Sequence, residues 1–288
     1  MKTAGYVGAL LYVSDPGANV VNVLTYPNGK RIGKLTGFNQ PRGECVDASG
    51  NVYITNEGAS NILEYAHGGT APIKTIDEPG QKPYDCAVNL NEGNLTGNFA
   101  VANTSTTSGG PGSVTIYGGK AAGTHQLNSF SSVLFLGYTH QENVSNLFVD
   151  GLDESGGFRC AILSPHRTKF RPVSLPMSIG APGAIQWDGK YLTVGDQNGP
   201  SGTTIIDRFS IKFGNITFVD AVPLSAQVGQ YFPDGTTLVG PYTTSGTLSF
   251  WNYPAGGSPT KTLEFFVAPF GSVVSNPPSA IRHHAPPS

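Results

Sequence analysis

The stretch that decides the fold spans residues 41–65 and reads PRGECVDASGNVYITNEGASNILEY. It holds one apolar segment, a turn of Asp, Ser, Gly and Asn, and then two short segments of alternating apolar and polar residues separated by a second turn. Alternation of this kind between turn-forming residues is typical of β-hairpins. The same order of strand, turn, strand ending in an aromatic residue, and Gly/Pro-rich link recurs along the chain, which predicts a repeat architecture.

Six strand pairs follow this pattern. They are predicted at residues 10–14 and 20–26, 52–56 and 62–65, 99–103 and 113–117, 158–164 and 170–175, 191–196 and 204–209, and 238–242 and 247–251. Six units in 288 residues leave room for four strands each, which is the size of a propeller blade. The aromatic residues that end the pairs recur too regularly to mark a ligand site, so we expect them to pack between blades: Tyr26, Tyr65, Tyr117, Phe209 and Trp251.

Each unit also needs an innermost strand. Five are predicted at residues 43–47, 84–88, 146–150, 184–187 and 228–232, and the sixth is missing before residue 10. Residues 271–275 can supply it from the other end of the chain, which would leave no exposed strand edge. We therefore predict an all-β, six-bladed β-propeller of four-stranded blades, closed by a C-terminal innermost strand that completes the N-terminal blade. Residues 1–276 form the single domain, and residues 277–288 are expected to be a disordered tail.

Composition excludes several kinds of partner. Net charge is −2 and no run of Lys or Arg exceeds a pair, so we expect no nucleic acid partner. No apolar stretch approaches the roughly 20 residues of a membrane span. Charged residues are only 12% of the chain, and a charge-poor surface rich in Thr, Asn and Gly is common in exported proteins. We therefore expect a secreted or extracytoplasmic monomer, with a cytoplasmic location as the alternative, although residues 1–11 do not read as a signal peptide.

Four segments resemble the NHL-repeat family of β-propellers: residues 41–47, 50–56, 61–65 and 113–117. More distantly, the chain is similar to gluconolactonase/paraoxonase-type and streptogramin-lyase-like propellers. The resemblance extends over nearly the whole chain, is strongest in the second blade, and is weak at residues 151–157 of the fourth. Since the NHL family includes scaffolds, receptors, lyases and lactonases, the resemblance implies a fold rather than one activity.

In such a propeller, the loops entering the innermost strands and the loops inside each strand pair converge on one mouth of the central channel. We expect a small molecule, a glycan or a peptide to bind at this polar mouth. The candidate ligand-binding residues are Arg42, Glu44, Asp85, Asn146, Asp196, Gln230 and Tyr242.

Three of these residues form a candidate cation site. Glu44, Asp85 and Asn146 fall at similar registers of successive predicted innermost strands, and converging oxygen atoms suit Ca²⁺. Gln230 and Ser272 fall near the same level in the sixth and first blades. The alternative is that they hydrogen-bond water and backbone in the channel. In the lactonase-type propellers a calcium ligand precedes a Gly in a Pro-x-Gly pattern, whereas here that place holds Arg42, which cannot ligate a metal. Arg42 beside Glu44 instead suggests an ion pair or an anchor for an anionic ligand.

Two histidines are candidate catalytic residues, His140 and His166, both predicted on the face of the mouth. Resemblance to streptogramin-lyase-like propellers implies a His acting as general base near a cation. The alternative function is therefore a cation-dependent hydrolase, lactonase- or esterase-like, or a lyase, and the alternative for the histidines is an ordinary place in surface loops.

The chain has three cysteines, an odd number that leaves at least one thiol unpaired. Cys45 and Cys86 share a register on neighbouring predicted innermost strands. We expect buried, inert thiols, because free Cys behaves as a small hydrophobe, with a disulfide or a soft-metal pair as the alternatives.

Overall fold

A computed structural model describes residues 6–90, 99–141, 145–212 and 214–278. These residues form six antiparallel four-stranded sheets arranged as the blades of a ring, which confirms the predicted all-β, six-bladed propeller. The described helices are three single turns of 3-10 helix, all too short to cross a membrane: Glu57–Ala59, Pro200–Gly202 and Thr243–Ser245. Most of the predicted tail, residues 277–288, lies outside the described residues.

Each of the first three blades runs from an innermost to an outermost strand. Blade 1 contains β24 (Ser272–Ser275), β1 (Leu10–Asp15), β2 (Val20–Thr25) and β3 (Arg31–Leu35). Blade 2 contains β4 (Pro41–Val46), β5 (Val52–Asn56), β6 (Asn61–Tyr65) and β7 (Lys74–Asp77). Blade 3 contains β8 (Gln81–Val88), β9 (Phe99–Thr106), β10 (Ser113–Tyr117) and β11 (Gly123–Gln126).

The other three blades follow the same order. Blade 4 contains β12 (Ser132–Tyr138), β13 (Leu147–Leu152), β14 (Phe158–Leu163) and β15 (Arg171–Pro172). Blade 5 contains β16 (Pro182–Trp187), β17 (Leu192–Asp196), β18 (Ile205–Lys212) and β19 (Asn215–Pro223). Blade 6 contains β20 (Phe232–Asp234), β21 (Thr237–Tyr242), β22 (Thr247–Asn252) and β23 (Lys261–Leu263).

Antiparallel strands give the ring two distinct faces. We call the face where the chain arrives from the preceding blade and starts an innermost strand the link face. The face where that strand turns back into the second strand is the turn face. The turns between second and third strands therefore lie on the link face, and those between third and fourth strands lie on the turn face.

The ring closes through the last strand, as predicted. β24 pairs antiparallel with β1, with Val273 opposite Tyr12 and Val274 opposite Leu11, and all four side chains are buried. The predicted packing of the periodic aromatic residues is also found at the blade interfaces. Trp251 of blade 6, for example, belongs to the same buried cluster as Ile206 of blade 5.

Blade 4 differs from the prediction by one strand. Of residues 146–150, predicted as its innermost strand, residues 147–150 belong to its second strand, and the predicted pair at 158–164 and 170–175 supplies its third and fourth strands. The cause is turn chemistry. Asp47 and Asp153 begin the same kind of turn, in which Oδ1 accepts the N–H groups two and four residues on at 2.9 and 2.8 Å. In blade 2 this turn joins the first and second strands, whereas in blade 4 it joins the second and third.

The innermost strand of blade 6 begins at Phe232, at the end of the predicted 228–232 segment. The residues before it bond to blade 5 instead. Val228 N–H donates to Thr204 Oγ1 at 2.8 Å, and Gly229 carbonyl accepts the Ala184 N–H at 2.8 Å. This segment therefore connects blade 6 to blade 5 by hydrogen bonds and does not extend the innermost strand of blade 6.

We expect a chain truncated after Phe270 to lose its stable fold. Removing β24 exposes the edge of β1 and eliminates the burial of Val273 and Val274, which contributes about 3 to 6 kcal/mol. Size-exclusion chromatography and a thermal melt followed by circular dichroism would detect the change. The control is a chain truncated after Pro278, which keeps β24; equal melting temperatures for the two truncated chains would contradict the role of β24 in closing the ring.

Candidate functional site

The link-face mouth of the channel, where the sequence places the ligand, is filled by three aromatic rings. Tyr84 meets Phe135 edge-on with ring centroids 5.7 Å apart, and it meets Phe270 edge-on at 4.9 Å. Phe135 and Phe270 stack with their planes 7° apart. Since Phe135 and Phe270 are buried, the rings leave this mouth sealed rather than polar.

Arg42 lies over this aromatic seal. Its guanidinium carbon is 5.7 Å from the centroid of Tyr84 and 5.2 Å from that of Phe270, distances at which cation–π attraction operates. Arg42 Nε bonds to Glu57 Oε2 at 2.6 Å. The prediction that Arg42 pairs with Glu44 is therefore wrong: its ionic partner is Glu57, on the turn between the second and third strands of the same blade.

Beneath the seal, the Gln230 side chain fills the channel. Its Nε2 donates to Asp85 Oδ1 at 2.6 Å, and its Oε1 accepts the backbone N–H groups of Glu44 (3.3 Å) and Ser272 (3.2 Å). Blades 2, 3 and 1 thus meet at the amide of Gln230, which precedes the innermost strand of blade 6, and all four residues are buried. The sequence placed these four residues near one level of the channel, and the structure brings them together there.

The carboxyl groups at this level have no cationic neighbour among their described partners. Burial raises the pKa of Glu44 and of Asp85 well above the ordinary range. Asp85 Oδ2 accepts the Leu136 N–H at 3.3 Å, which offsets part of the rise. The Ser14 N–H lies near Glu44 and also lowers its pKa, but it donates to the Gly271 carbonyl. Neither Glu44 carboxyl oxygen has a hydrogen bond among the described residues. Both carboxyl groups are therefore favoured in the protonated, neutral form.

The structure separates the other predicted ligand-binding residues from this group. Asn146 precedes the second strand of blade 4 instead of lying on an innermost strand, and its N–H donates to Thr139 Oγ1 at 3.1 Å. The Asp196 carboxylate accepts the N–H groups of Gly180 and Ala181 at 2.8 and 3.0 Å, which fixes the link into blade 5. Tyr242, half-buried, ends β21.

No group of three or more His, Cys, Asp or Glu side chains within the described ranges is placed to hold a metal ion. Because Asn146 is displaced from the innermost strands, the regular spacing that predicted a Glu44–Asp85–Asn146 calcium site is absent from the folded ring. The sequence pattern is therefore the one observation that supports a calcium site.

A recess opens at the opposite, turn-face end of the channel, with a volume of about 160 Å³. Innermost strands of all six blades, or the residues that follow them, contribute to its wall. The residues that matter here are Glu44, Tyr138, His140, Trp187 and Phe232. The volume is close to that of a cavity that holds a benzene-sized molecule.

The wall of this recess carries unpartnered polar groups. Both carboxyl oxygens of Glu44, the Tyr138 hydroxyl and the His140 Nδ1 are buried and have no hydrogen-bond partner within the part of the chain that the structure describes. Leaving such a group without a partner costs about 1 to 3 kcal/mol. Three of the residues that line the recess therefore carry a buried polar atom that has no partner among the described residues.

Both histidines lie on the turn face rather than on the predicted face. His140 follows the innermost strand of blade 4, and the one-strand shift of that blade moves it to the other end of the channel. Burial lowers the pKa of His140, which favours the neutral imidazole at pH 7. His166 is exposed, with φ of 65°, in the turn between β14 and β15 and does not line the recess.

A disulfide borders the recess. Cys45 of β4 and Cys86 of β8 are bonded, with Cα atoms 5.7 Å apart, and join blades 2 and 3. The expected inert thiols are therefore wrong at these positions, and the disulfide alternative is correct. Cys160 is a buried free thiol.

Tyr138 is the recess residue that the sequence reasoning missed. It ends the segment SVLFLGY at residues 132–138, which forms the innermost strand of blade 4. The signal was present, because a short, nearly continuous apolar run is typical of a strand buried on both faces.

Comparison with known proteins supports the fold alone. No protein-family model matches the sequence, and no curated protein matches it significantly. The structure is similar to a chain of a nidogen/laminin complex (TM-score 0.65, 12% identity, 93% of this chain and 98% of that one). It is also similar to a functionally unknown protein from Desulfotomaculum acetoxidans (0.61, 12%, 93% and 99%) and to the Cps50 (Swd1) β-propeller domain of Myceliophteria thermophila (0.55, 13%, 88% and 83%).

We expect Glu44→Gln to stabilise the protein at pH 8 and to leave its stability at pH 4 unchanged. An unfolded Glu releases its proton near pH 4.3, whereas the native state keeps the Glu44 proton at higher pH. The free energy of unfolding therefore falls as pH rises. The loss is about 1.4 kcal/mol for each pH unit over which the native carboxyl stays protonated. Gln keeps the shape of the side chain but does not titrate, so it removes this pH-dependent loss of stability.

Urea unfolding of both proteins across pH 4 to 8 would measure the difference. Glu154→Gln, at an exposed position, is the matched control and is expected to lack the effect. A destabilised Glu44→Gln at pH 8 would contradict a neutral Glu44 and indicate that its negative charge has a partner.

We expect unreduced, denatured protein to expose one thiol per chain to alkylation, and reduced protein three. Reduction should lower the free energy of unfolding by about 2 to 4 kcal/mol. A Cys45→Ser/Cys86→Ser variant should be destabilised to a similar extent and become insensitive to reductant. Mass spectrometry after alkylation and urea melts with and without reductant test both points; three reactive thiols before reduction would rule out the disulfide.

Proposed function

We propose that this propeller is a binding module whose ligand occupies the turn-face recess of the channel. The observation that carries the proposal is the set of unpartnered polar atoms on Glu44, Tyr138 and His140 around one opening. A ligand that supplies hydrogen-bond partners there would offset their desolvation, and only molecules with matching polar groups would do so.

The electrostatics of the recess favour an uncharged, hydrogen-bonding ligand. Burial favours the neutral forms of the Glu44 carboxyl and the His140 imidazole, and it raises the pKa of the Tyr138 hydroxyl. Trp187 and Phe232 add apolar wall. At about 160 Å³ the recess takes a small molecule, one side chain of a peptide, or a single group of a glycan rather than a whole oligosaccharide.

This proposal keeps the channel as the binding region but moves the site to its other end. The link-face mouth is sealed by aromatic rings and by the Arg42–Glu57 ion pair, and Gln230 fills the level beneath. A ligand entering from that side would have to displace all of these contacts, whereas the turn-face recess is open in the structure as it stands.

One observation favours the alternative, a hydrolase or lyase. A carboxyl group held protonated and an imidazole held neutral line the same recess, and such a pair suits a general acid and a general base. In this alternative, Glu44 donates a proton to the leaving group and His140 accepts one from water or from the substrate.

We also propose an oxidising, extracytoplasmic compartment. The Cys45–Cys86 disulfide supports it, because structural disulfides persist in secreted and periplasmic proteins and are rare in the cytosol. The charge-poor composition points the same way. A monomeric chain remains part of the proposal.

We expect ligand-observed NMR and thermal-shift measurements to detect binding of uncharged polar probes: phenol, benzamide, and the N-acetyl amides of Asn, Gln and Tyr. Tyr138→Phe removes one unpartnered hydroxyl, so it should weaken binding by about 2- to 12-fold without destabilising the protein. Tyr12→Phe is the contrasting control. Its hydroxyl accepts the Gly68 N–H at 2.8 Å, outside the recess, so that variant should lose stability and keep its affinity.

The same proteins would be assayed for hydrolysis of δ-gluconolactone and p-nitrophenyl acetate. Turnover abolished by His140→Phe would favour the enzyme. No probe binding and no turnover, or equal affinities for Tyr138→Phe and the unaltered protein, would contradict a site in the recess.

A further inference from the structure

The outer edge of blade 4 concentrates positive charge. The chain has 17 Lys and Arg residues in 288, and Arg167, Lys169 and Arg171 fall within five consecutive positions. They alternate with uncharged residues, so no run of basic residues marks them in the sequence. All three side chains are exposed where the third strand of blade 4 passes into the short fourth strand β15.

These residues border two adjoining grooves. The first, of about 690 Å³, lies between the outer edges of blades 3 and 4, and the second, of about 610 Å³, is lined by blade 4 residues. The grooves share the wall formed by residues 168–171, and Arg167 lines the second of them. We call the pair the outer groove. It lies on the side of the ring, away from the channel recess, and each part has the volume of a small-ligand site.

The charges in the outer groove are not neutralised by the protein. Within the described residues, Arg167, Lys169 and Arg171 form no ion pair, whereas the described ion pairs elsewhere engage Arg42, Arg159 and Arg208. No Asp or Glu lines either groove. Because like charges held together repel one another, an arrangement of this kind is stabilised by a bound anion.

The opposite wall of the first groove contains a histidine. His125 of β11 bonds through Nε2 to the Ala121 carbonyl at 2.7 Å, and its ring meets Phe170 edge-on with centroids 5.8 Å apart. These contacts fix the imidazole in the groove wall. With Nε2 engaged, Nδ1 is the ring nitrogen that has no hydrogen bond among the described contacts.

We propose that the outer groove binds an extended ligand that carries phosphate or sulfate esters. The guanidinium groups of Arg167 and Arg171 match the oxygen geometry of these esters in a two-pronged contact, and Lys169 between them adds a point charge. The exposure of the side chains makes each contact weak, so affinity depends on several charges of one ligand engaging together. Two adjoining openings along one wall fit a chain of anionic groups better than a single small anion.

Isothermal titration of the full chain with inositol hexakisphosphate and with a heparin-derived hexasaccharide tests the proposal, and poly-L-glutamate is the comparison. The Lys169→Ser/Arg171→Ser variant should bind the phosphate or sulfate probe at least about tenfold more weakly than the unaltered protein. The control variant is Lys34→Ser/Lys74→Ser, which makes the same change in net charge at exposed positions on the outermost strands of blades 1 and 2, and should stay within about twofold.

Binding of either ester probe that weakens with added salt and in the groove variant alone supports the proposal, and the tighter probe identifies the ester. Equal losses in the two variants would overturn it, because net charge alone would then explain the affinity. So would poly-L-glutamate binding as tightly as both esters, or no binding by either ester. All of the substituted residues are exposed, so unchanged melting temperatures are expected and would exclude misfolding as the cause.

Discussion

The pairing of β24 with β1 is the constraint on which the rest of the structure depends. It joins the two ends of the chain in one blade and leaves no open edge at the joint. Once the ring is closed, six innermost strands converge on one axis, and their side chains have to fill a narrow space. Gly43 shows how closely the strands approach one another, because a Cβ atom at this position would lie 2.2 Å from Asp85 Oδ1.

Crowding at the axis explains the chemistry of the channel. Polar side chains are buried together there, so the neutral forms of the Glu44 and Asp85 carboxyl groups are favoured, and the Gln230 amide bonds to the Asp85 carboxyl and to the Glu44 backbone. The two ends of the channel differ in whether side chains close them. Aromatic rings under Arg42 seal the link face, whereas the turn face keeps a recess in which Tyr138, His140 and Glu44 have unpartnered atoms. The asymmetry assigns the candidate ligand site to one end.

The sequence predicted what repeats and missed what depends on distant contacts. Periodicity predicted six blades, the closing strand, and the common level of Glu44, Asp85, Gln230 and Ser272, because a repeat places equivalent positions at equivalent heights. It misplaced blade 4, since the turn at Asp153 has the same chemistry as the turn at Asp47. It also missed the Glu57 partner of Arg42 and the state of Cys45 and Cys86, because which neighbouring side chain a given group meets is decided by three-dimensional packing that spacing does not encode.

The positions that depart from the repeat carry the functional argument. Residues that follow it are explained by the scaffold, and structural neighbours at 12 or 13% identity share that scaffold without sharing a recognisable sequence. Blade 4 departs from the predicted pattern, through the connection that carries His140 and through an outermost strand of two residues beside the exposed basic segment. The connection that carries His140 borders the recess, and the short outermost strand borders the cationic groove. Blade 4 contributes residues to both proposed sites, and the repeat alone does not account for those residues.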